Sequence, residues 1–270
     1  MTLASCDSRK TAGENPFFTE WDTPHGVPPF DKILPEHFMP AFERGMSLHE
    51  AEIDAITSNK DEATFENTIL AYDDAGQMLA QTELVFGMLC AAETNDRMQA
   101  LQEQAMPLLA AHRDKIRLDD KLFVRVKEVY DRRAALGLDA EQMRLLQKTY
   151  DSFVRAGALL DAEQKARLKE INGQLSLTAV KFGNNILAEN NNFVLELKSD
   201  ELDGLPAGIR DAAREKAQQM GKGDKWVFTL HKPSLIPFLT YSAKRDLREK
   251  IYKAYLNRCN NGDQYDNKQL

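Results

Sequence analysis

The chain has 270 residues, of which 43% are hydrophobic and 29% charged, so it can bury one large or two modest hydrophobic cores. It contains only 14 glycines and 10 prolines, which excludes a collagen-type repeat and argues against disorder. The formal net charge is −7, and a surface of that sign repels phosphate backbones. The longest basic stretch, 244–253, is interrupted by acidic residues, so we predict no nucleic-acid partner.

The amino-terminal residues contain a pattern typical of lipid attachment. Leu3-Ala4-Ser5-Cys6 has the form of a bacterial lipobox, and the polar stretch 7–15 suits the tether that usually follows. The charged and apolar regions of a signal peptide are absent before Leu3. Two interpretations stay open: lipidation of Cys6 in a periplasmic or membrane-anchored bacterial lipoprotein, or a chance match in the tail of a cytoplasmic protein.

The next part of the chain changes from an aromatic, proline-rich segment to a series of helices. Residues 16–34 are predicted to be extended and to insert their rings into grooves, because proline blocks helix and sheet pairing. Beyond them, apolar side chains recur every three or four residues, and Asn59 with Glu62 predicts a cap before the second helix. The predicted helices span 35–58, 64–92, 96–115, 119–136, 139–160 and 161–188.

The composition changes again near Asn190. Alternating apolar residues predict strands at 193–197 and 226–230, whose pairing direction the sequence leaves open. Helices are predicted at 206–220 and 242–258. The predicted fold class is therefore mainly α, with antiparallel helical hairpins forming a bundle and a small two-strand element near residues 193–230.

Three segments follow from this organisation. We predict a flexible tether at residues 1–14, a helical lobe at 15–190 and a strand–helix–strand–helix segment at 191–270.

The chemistry-bearing residues form no recognisable catalytic or metal site. His49-Glu50-Ala51-Glu52-Ile53 comes closest to the HExxH motif of zinc peptidases, in which two histidines four residues apart bind one metal ion. Isoleucine cannot bind zinc, so we interpret this stretch as a solvated helix face. A GxSxG nucleophile elbow and a GxxxxGK phosphate loop are also absent. The sequence thus predicts no catalytic and no metal-binding residue in this chain.

The three cysteines, Cys6, Cys90 and Cys259, show no CxxC spacing and support neither a zinc knuckle nor a disulfide framework. Cys90 follows a run of apolar residues and is predicted to be a small core residue. Cys259 lies in a polar tail and is predicted to be a free thiol.

The strongest signal is a series of whole phrases that stand in order between residues 15 and 267. They are WDTP at 21–24, PPFDKI at 28–33, FMPAF at 38–42, TFENTI at 64–69, DGLP at 203–206, WVFTL at 226–230 and YSAKRDLREK at 241–250. Together these phrases resemble the amino-terminal portion of the oligopeptidase A and dipeptidyl carboxypeptidase family of zinc peptidases. The dipeptidyl carboxypeptidase branch is the better fit.

The resemblance implies a helical, two-lobed enzyme whose lobes enclose a channel for short peptides. In that family one zinc ion, held by HExxH and a downstream glutamate, activates a water molecule. Those residues would lie beyond Leu270, so no catalytic or metal residue is carried over to this chain. The segment 191–270 would lead into the missing catalytic domain, and the chain would form one wall of the channel without being active alone.

A competing interpretation is a stand-alone helical module, lipid-anchored at Cys6, that binds peptides or a protein partner without catalysis. The predicted last helix adds an expectation about association. Its apolar stripe would pack on the missing lobe, so the fragment alone is expected to self-associate. The stripe consists of Leu247, Ile251, Tyr252, Tyr255 and Leu256.

Overall fold

The computed structural model describes residues 14–270, so Cys6 and the predicted tether up to residue 13 lie outside the described residues. The chain divides into two compact units, one ending at Leu177 and the other spanning Thr178–Leu270. The predicted mainly α fold is confirmed, because long helices and a single two-stranded sheet account for the regular structure of residues 14–270. No helix in this described range is long and apolar enough to cross a membrane.

The aromatic segment at the start of the described residues is anchored in the first unit. Two 3-10 turns, Pro16–Phe18 and Pro24–Gly26, interrupt the predicted extended chain. The Asn15 side chain caps the first turn by accepting a 3.1 Å hydrogen bond from the Phe17 N–H. Phe17 is buried, and its ring centroid lies 5.3 Å from that of Phe38. The prediction that this segment inserts rings into the fold is therefore confirmed for Phe17.

Three long helices form the first core of this unit: α1 (Phe38–Ser58), α2 (Gln77–Ala92) and α3 (Asp96–Arg117). A methyl group at Gly45 of α1 would lie 3.0 Å from the Cα of Leu79 in α2, so glycine permits the close approach of these helices. Burial of each large apolar side chain contributes roughly 1.5–3 kcal/mol. The buried set is Phe17, Ile33, Phe38, Ala41, Phe42, Leu79, Val85, Phe86, Met98, Ala105 and Leu109.

The single helix predicted over 64–92 is wrong. One π-helical stretch, Phe65–Leu70, is followed by a short α-helical turn, Ala71–Asp73, and α2 begins only at Gln77. Gly76 lies between them with φ +76°, a left-handed conformation that cannot continue a right-handed helix. Because apolar residues recur at helical spacing on both sides of Gly76, the sequence pattern does not indicate that the helix is interrupted there.

The predicted cap is also misplaced. Thr64 and Asn67 form the capping box: the Thr64 hydroxyl accepts from the Asn67 N–H at 3.1 Å, and the Asn67 side chain accepts from the Thr64 N–H at 2.8 Å. The Asn59 side chain instead accepts from the Asp61 N–H.

The second core of this unit involves α4 (Asp120–Asp131) and α5 (Ala140–Arg155), which are followed by α6 (Ala162–Asn192). The helix predicted over 139–160 is too long, because Gly157 has φ +99° and ends the helical path after α5. The buried set is Ile53, Ile56, Ala63, Phe65, Ile69, Ile116, Leu122, Phe123, Val126, Val129, Leu146, Phe153 and Ala158.

The second unit is built around β1 (Leu195–Leu197) and β2 (Trp226–Phe228), which pair antiparallel with Leu195 opposite Phe228. Helix α7 (Ala207–Gln219) lies between them in the chain, and α8 (Lys232–Tyr241) and α9 (Arg245–Leu256) follow. The core consists of Leu195, Leu197, Leu202, Leu205, Ala213, Phe228, Leu230, Leu235, Phe238 and Ile251.

Helix α8 lies between the two helices predicted at 206–220 and 242–258, in a stretch for which the sequence predicted no helix and which contains Pro233 and Pro237. Pro233 lies in the first turn, where a backbone N–H has no acceptor within the helix, so its absence costs no hydrogen bond. Pro237 lies further along the same helix.

The apolar stripe of the last helix is largely internal, which corrects its assignment to a surface for a missing lobe. Ile251 is fully buried, and Leu247 and Tyr255 pack against the core of the second unit. Of the five stripe residues, only Tyr252, which is 50% exposed, and Leu256, which is 59% exposed, do not pack against that core.

Candidate functional site

The HExxH-like stretch lies on α1, where Ile53 is buried in the second core of the first unit. The interpretation of this stretch as a solvated helix face is wrong for His49, because its ring meets another imidazole. The His112 Nε2 atom of α3 lies 3.0 Å from the His49 Nδ1 atom, and His112 is only 5% exposed. Two histidines that the sequence shows as scattered therefore form one hydrogen bond between α1 and α3.

Glu50 extends the histidine pair toward solvent. Its carboxylate binds the Lys115 ammonium at 2.8 Å and lies 3.5 Å from the Nδ1 atom of His112. That second distance is longer than a normal hydrogen bond, and the buried Nδ1 atom has no hydrogen-bond partner. In this polar cluster the His112 Nε2 atom is paired with His49, whereas the His112 Nδ1 atom has only the nearby charge of Glu50.

The surroundings shift the pKa of each group in this cluster. Burial lowers the pKa of His49 below its ordinary value of 6.5, and the charge of His112 lowers it further. Burial also lowers the pKa of His112, against the opposing influence of Glu50. The hydrogen bond from Lys115 lowers the pKa of Glu50. The lowered pKa values favour the neutral form of both imidazoles, in which one nitrogen donates and the other accepts.

A glycine fixes the position of the His49 ring. A methyl group at Gly76 would lie 2.8 Å from the His49 Nδ1 atom, so only glycine leaves room for this ring. The Gly76 N–H donates a 2.7 Å hydrogen bond to Glu52, which lies on the same helix as His49. The start of α2 is thereby held against α1.

This cluster does not fit a catalytic zinc ion. Glu50 approaches the Nδ1 edge of His112 while His49 faces the Nε2 edge, so the three groups do not converge on one point. Across residues 14–270, no group of three or more His, Cys, Asp or Glu side chains is arranged to hold a metal ion. Structural and catalytic zinc sites need three or four such ligands.

The two described cysteines are free thiols. Cys90 is half-buried at the edge of the first core, and burial raises its pKa. Cys259 is buried rather than exposed in a polar tail, and burial, followed by the nearby Glu189, raises its pKa to about 11. A thiol with that pKa is a poor nucleophile at neutral pH.

A cavity in the first unit is lined by three arginines and by polar groups of α3 and α6. Its volume is about 480 Å³. Arg117 and Arg155 lie in the last turns of α3 and α5, where a cation is favoured by the helix macrodipole. Arg113 is paired with Glu83 at 3.3 Å, and Asp114 accepts a hydrogen bond from the α6 side of the cavity. The ion pair of Arg113 and the helix-end positions of Arg117 and Arg155 account for these basic residues without a ligand.

A second cavity, of about 550 Å³, lies in the second unit between α7, β2 and the start of α8. Its wall is mainly apolar, with Gly208 and Ala212 of α7 leaving open space on one side. No sequence motif predicted this cavity, although small residues four positions apart on one helix face, here Gly208 and Ala212, are a signal of such space. We name it the α7–α8 cavity.

Comparison with known proteins places these features in a wider context. No protein-family model matches the chain. The chain is 36% identical over 257 residues to the dipeptidyl carboxypeptidase of Escherichia coli, a match that covers 95% of this chain and 38% of that protein. It is 34% identical to the dipeptidyl carboxypeptidase of Salmonella typhimurium and 25% identical to the oligopeptidase A of Escherichia coli. The chain thus spans about 38% of the length of the dipeptidyl carboxypeptidases that it matches.

Proposed function

The chain belongs to the dipeptidyl carboxypeptidase and oligopeptidase A family, in which it corresponds to an amino-terminal portion, and we propose from this that it is the non-catalytic lobe of a zinc-dependent peptidase. In this proposal the lobe forms one wall of a channel for short peptides, and another part of the whole protein supplies the metal and the chemistry. The observation that carries the proposal is the match over 95% of the chain to a dipeptidyl carboxypeptidase.

The proposal assigns the metal and the general base to another part of the whole protein. A zinc peptidase needs a metal-bound water and a general base at one place. Within residues 14–270, the histidine pair lacks a converging third ligand and the remaining acidic residues form no metal-binding group. The helices of this range bury their apolar faces in three hydrophobic cores, which give the proposed channel wall a folded framework.

The first experiment separates this role from that of a stand-alone binding module. An antibody raised against the chain should detect, in the source cells, a species far heavier than 30.6 kDa. The immunoprecipitated species should cleave short peptides, and a zinc chelator should abolish the cleavage. A species near 30.6 kDa without peptidase activity would support the stand-alone module instead.

The purified 270-residue chain provides the complementary measurement. We expect it to bind no stoichiometric zinc and to leave a quenched fluorescent peptide uncleaved after addition of zinc. Zinc-dependent cleavage by this chain would contradict the non-catalytic role.

Two finer points remain proposals from the sequence and the surface. Lipidation of Cys6 would place the protein at a bacterial membrane, and it predicts a lipid-modified amino-terminal peptide in mass spectrometry of the endogenous protein.

Self-association of the isolated chain would use the exposed Tyr252 and Leu256 of α9. Sedimentation velocity over a range of concentrations tests it, and a single monomeric boundary throughout would exclude it.

A further inference from the structure

One carboxylate of α6 holds the segment 257–270 within the second unit. The Oε2 atom of Glu189 accepts a hydrogen bond from the Cys259 N–H, and its Oε1 atom accepts one from the side-chain amide of Asn261. Glu189 therefore binds the segment at two places through one side chain. Two further side-chain hydrogen bonds join the same segment to α6: Asn185 with Asn267 at 2.7 Å and Asn192 with Tyr265 at 3.1 Å.

Asn261 is followed by glycine, and this neighbour makes the asparagine amide chemically labile. Asparagine is among the thermolabile residues, and glycine has no side chain to hinder an approach to its nitrogen. In the reaction the Gly262 nitrogen bonds to the Asn261 Cγ atom, and the amide group leaves as ammonia with the proton that this nitrogen gives up. Water then opens the cyclic imide to aspartate or isoaspartate. The only co-reactant is water.

The sequence contains two Asn-Gly pairs, and the structure gives them different backbones. Asn172 and Gly173 lie inside α6, where helical hydrogen bonding restrains the glycine nitrogen. Asn261 and Gly262 are exposed and lie outside the helices and strands. The Gly262 N–H donates to the Asp266 carboxylate at 2.6 Å, so a local opening of the segment is enough to free the attacking nitrogen.

A negative charge at position 261 is incompatible with the contact to Glu189. Deamidation replaces an amide donor by a carboxylate that only accepts, and the two carboxylates then repel each other. The backbone of Cys259 adds to this effect, because its φ of +54° is unfavourable for a residue with a Cβ atom and is maintained while the segment is bound. Release of the segment would uncover the Cys259 thiol, which is only 5% exposed in the bound state.

We propose that Asn261 is a deamidation site and that its acidic product releases the segment 257–270 from α6. The change is one-way, because the ammonia is lost and the new carboxylate opposes renewed contact with Glu189. The contacts that carry this proposal all lie in the second unit, so it is independent of the proposed function.

The first experiment compares the two Asn-Gly pairs in one sample. The 270-residue chain is incubated at mildly alkaline pH, and peptide mass mapping follows the conversion of Asn261 and Asn172 with time. We expect Asn261 to react at least about tenfold faster, since an exposed segment opens more often than the interior of a helix. In urea the two rates should become similar, because both asparagines precede glycine. Equal rates in the folded chain, or no conversion of Asn261, would overturn the assignment of the site.

The second experiment tests the release. Asn261→Asp reproduces the aspartate product, and Cys259 in this variant should react with iodoacetamide at least about tenfold faster than in the parent chain. Asn260→Asp adds the same charge at the neighbouring exposed position and should react like the parent. If the segment stayed bound, a further negative charge near the thiol would raise its pKa and slow the reaction, so the direction of the change separates release from electrostatics.

Glu189→Gln tests the partner of Asn261. The glutamine oxygen can still accept from the Cys259 N–H, and its amide can donate to the new carboxylate at position 261. In this background Asn261→Asp should change the labelling rate by less than about twofold. An acceleration that persists there would exclude Glu189 as the cause, and no acceleration in the parent background would overturn the release. Circular dichroism should show unchanged helix content in Asn261→Asp; a loss of helix content would indicate unfolding and would also overturn the release.

Discussion

The His112 Nε2 atom lies 3.0 Å from the His49 Nδ1 atom, so residues 63 positions apart in the sequence share one hydrogen bond between α1 and α3. Protonation of both rings would turn both nitrogens into donors and break this bond. Glu50, Glu52, Arg113 and Lys115 are the other charged groups that act on the pair. The pair therefore makes the stability of the first unit sensitive to pH.

The direction of this sensitivity follows from the lowered pKa of both imidazoles. Between the lowered values and 6.5, the unfolded chain binds more protons than the folded one. The contribution of the histidine pair to the free energy of unfolding is fully present above pH 6.5. It decreases as the pH falls through this interval and does not change further below it. Urea unfolding at about pH 7.5 and about pH 5.5, on either side of an ordinary histidine pKa, should show a lower free energy of unfolding at the acid pH.

Substitutions identify the groups responsible. The double variant His49→Gln/His112→Gln should reduce this pH dependence, whereas His25→Gln should leave it unchanged, because His25 is exposed. An unchanged pH dependence in the double variant would show that other groups are responsible.

Gly76→Ala should destabilise the first unit through both the backbone and the His49 ring. Alanine at φ +76° costs about 1–2 kcal/mol, and its methyl group would also lie 2.8 Å from the His49 Nδ1 atom. Gly137→Ala is the matched control, since Gly137 has φ +64° but no heavy atom within 4 Å of a Cβ position. Urea unfolding should show a larger loss for Gly76→Ala than for Gly137→Ala. The excess should disappear in a His49→Ala background, and its persistence there would exclude the ring as the cause.

Arg125 connects α4 to the loop that precedes the Thr64 cap. Its guanidinium donates to the carbonyls of Asn59 and Asp61 at 3.0 and 3.1 Å and to the Asn67 side chain at 3.1 Å, and the residue is only 9% exposed. Arg125→Met should lower the free energy of unfolding by about 2–4 kcal/mol, because it leaves several partly buried acceptors without donors.

Lysine should not restore this connection, since it lacks the planar arrangement of donors. The exposed Arg210→Met is the control, and urea unfolding is the measurement. A loss for Arg125→Met no greater than for Arg210→Met would contradict the structural role of Arg125.

Cys259 should resist alkylation in the folded chain. With a pKa of about 11 and only 5% exposure, its thiolate is scarce and inaccessible at about pH 8, so we expect its reaction to be on the order of 100-fold slower than that of an ordinary thiol. Timed iodoacetamide labelling with peptide mass mapping measures this rate for each cysteine separately. The same experiment in urea is the control, and fast labelling of Cys259 in the folded chain would place its thiol in contact with solvent.

The spacing of apolar residues predicts most of the helices, because burying one face of a helix requires apolar residues at that spacing within the helix itself. An apolar side chain every three or four residues defines a buried helix face wherever that face packs, and the strands near 193–230 show the alternation of a half-buried sheet. The same local logic failed at Gly76 and Gly157, where periodicity continues across a residue with positive φ. It also gave no helix at α8, which contains Pro233 in its first turn and Pro237 further along.

The sequence alone determined the helical class of this chain and its family, and it showed no HExxH motif among these 270 residues. Only the tertiary structure decided that His49 meets His112, that the strands pair antiparallel, and that Lys216 and Ser234 line one cavity. The physical reason is that these relationships join residues distant in the chain, so that they depend on how helix faces pack and leave no periodic trace in the sequence.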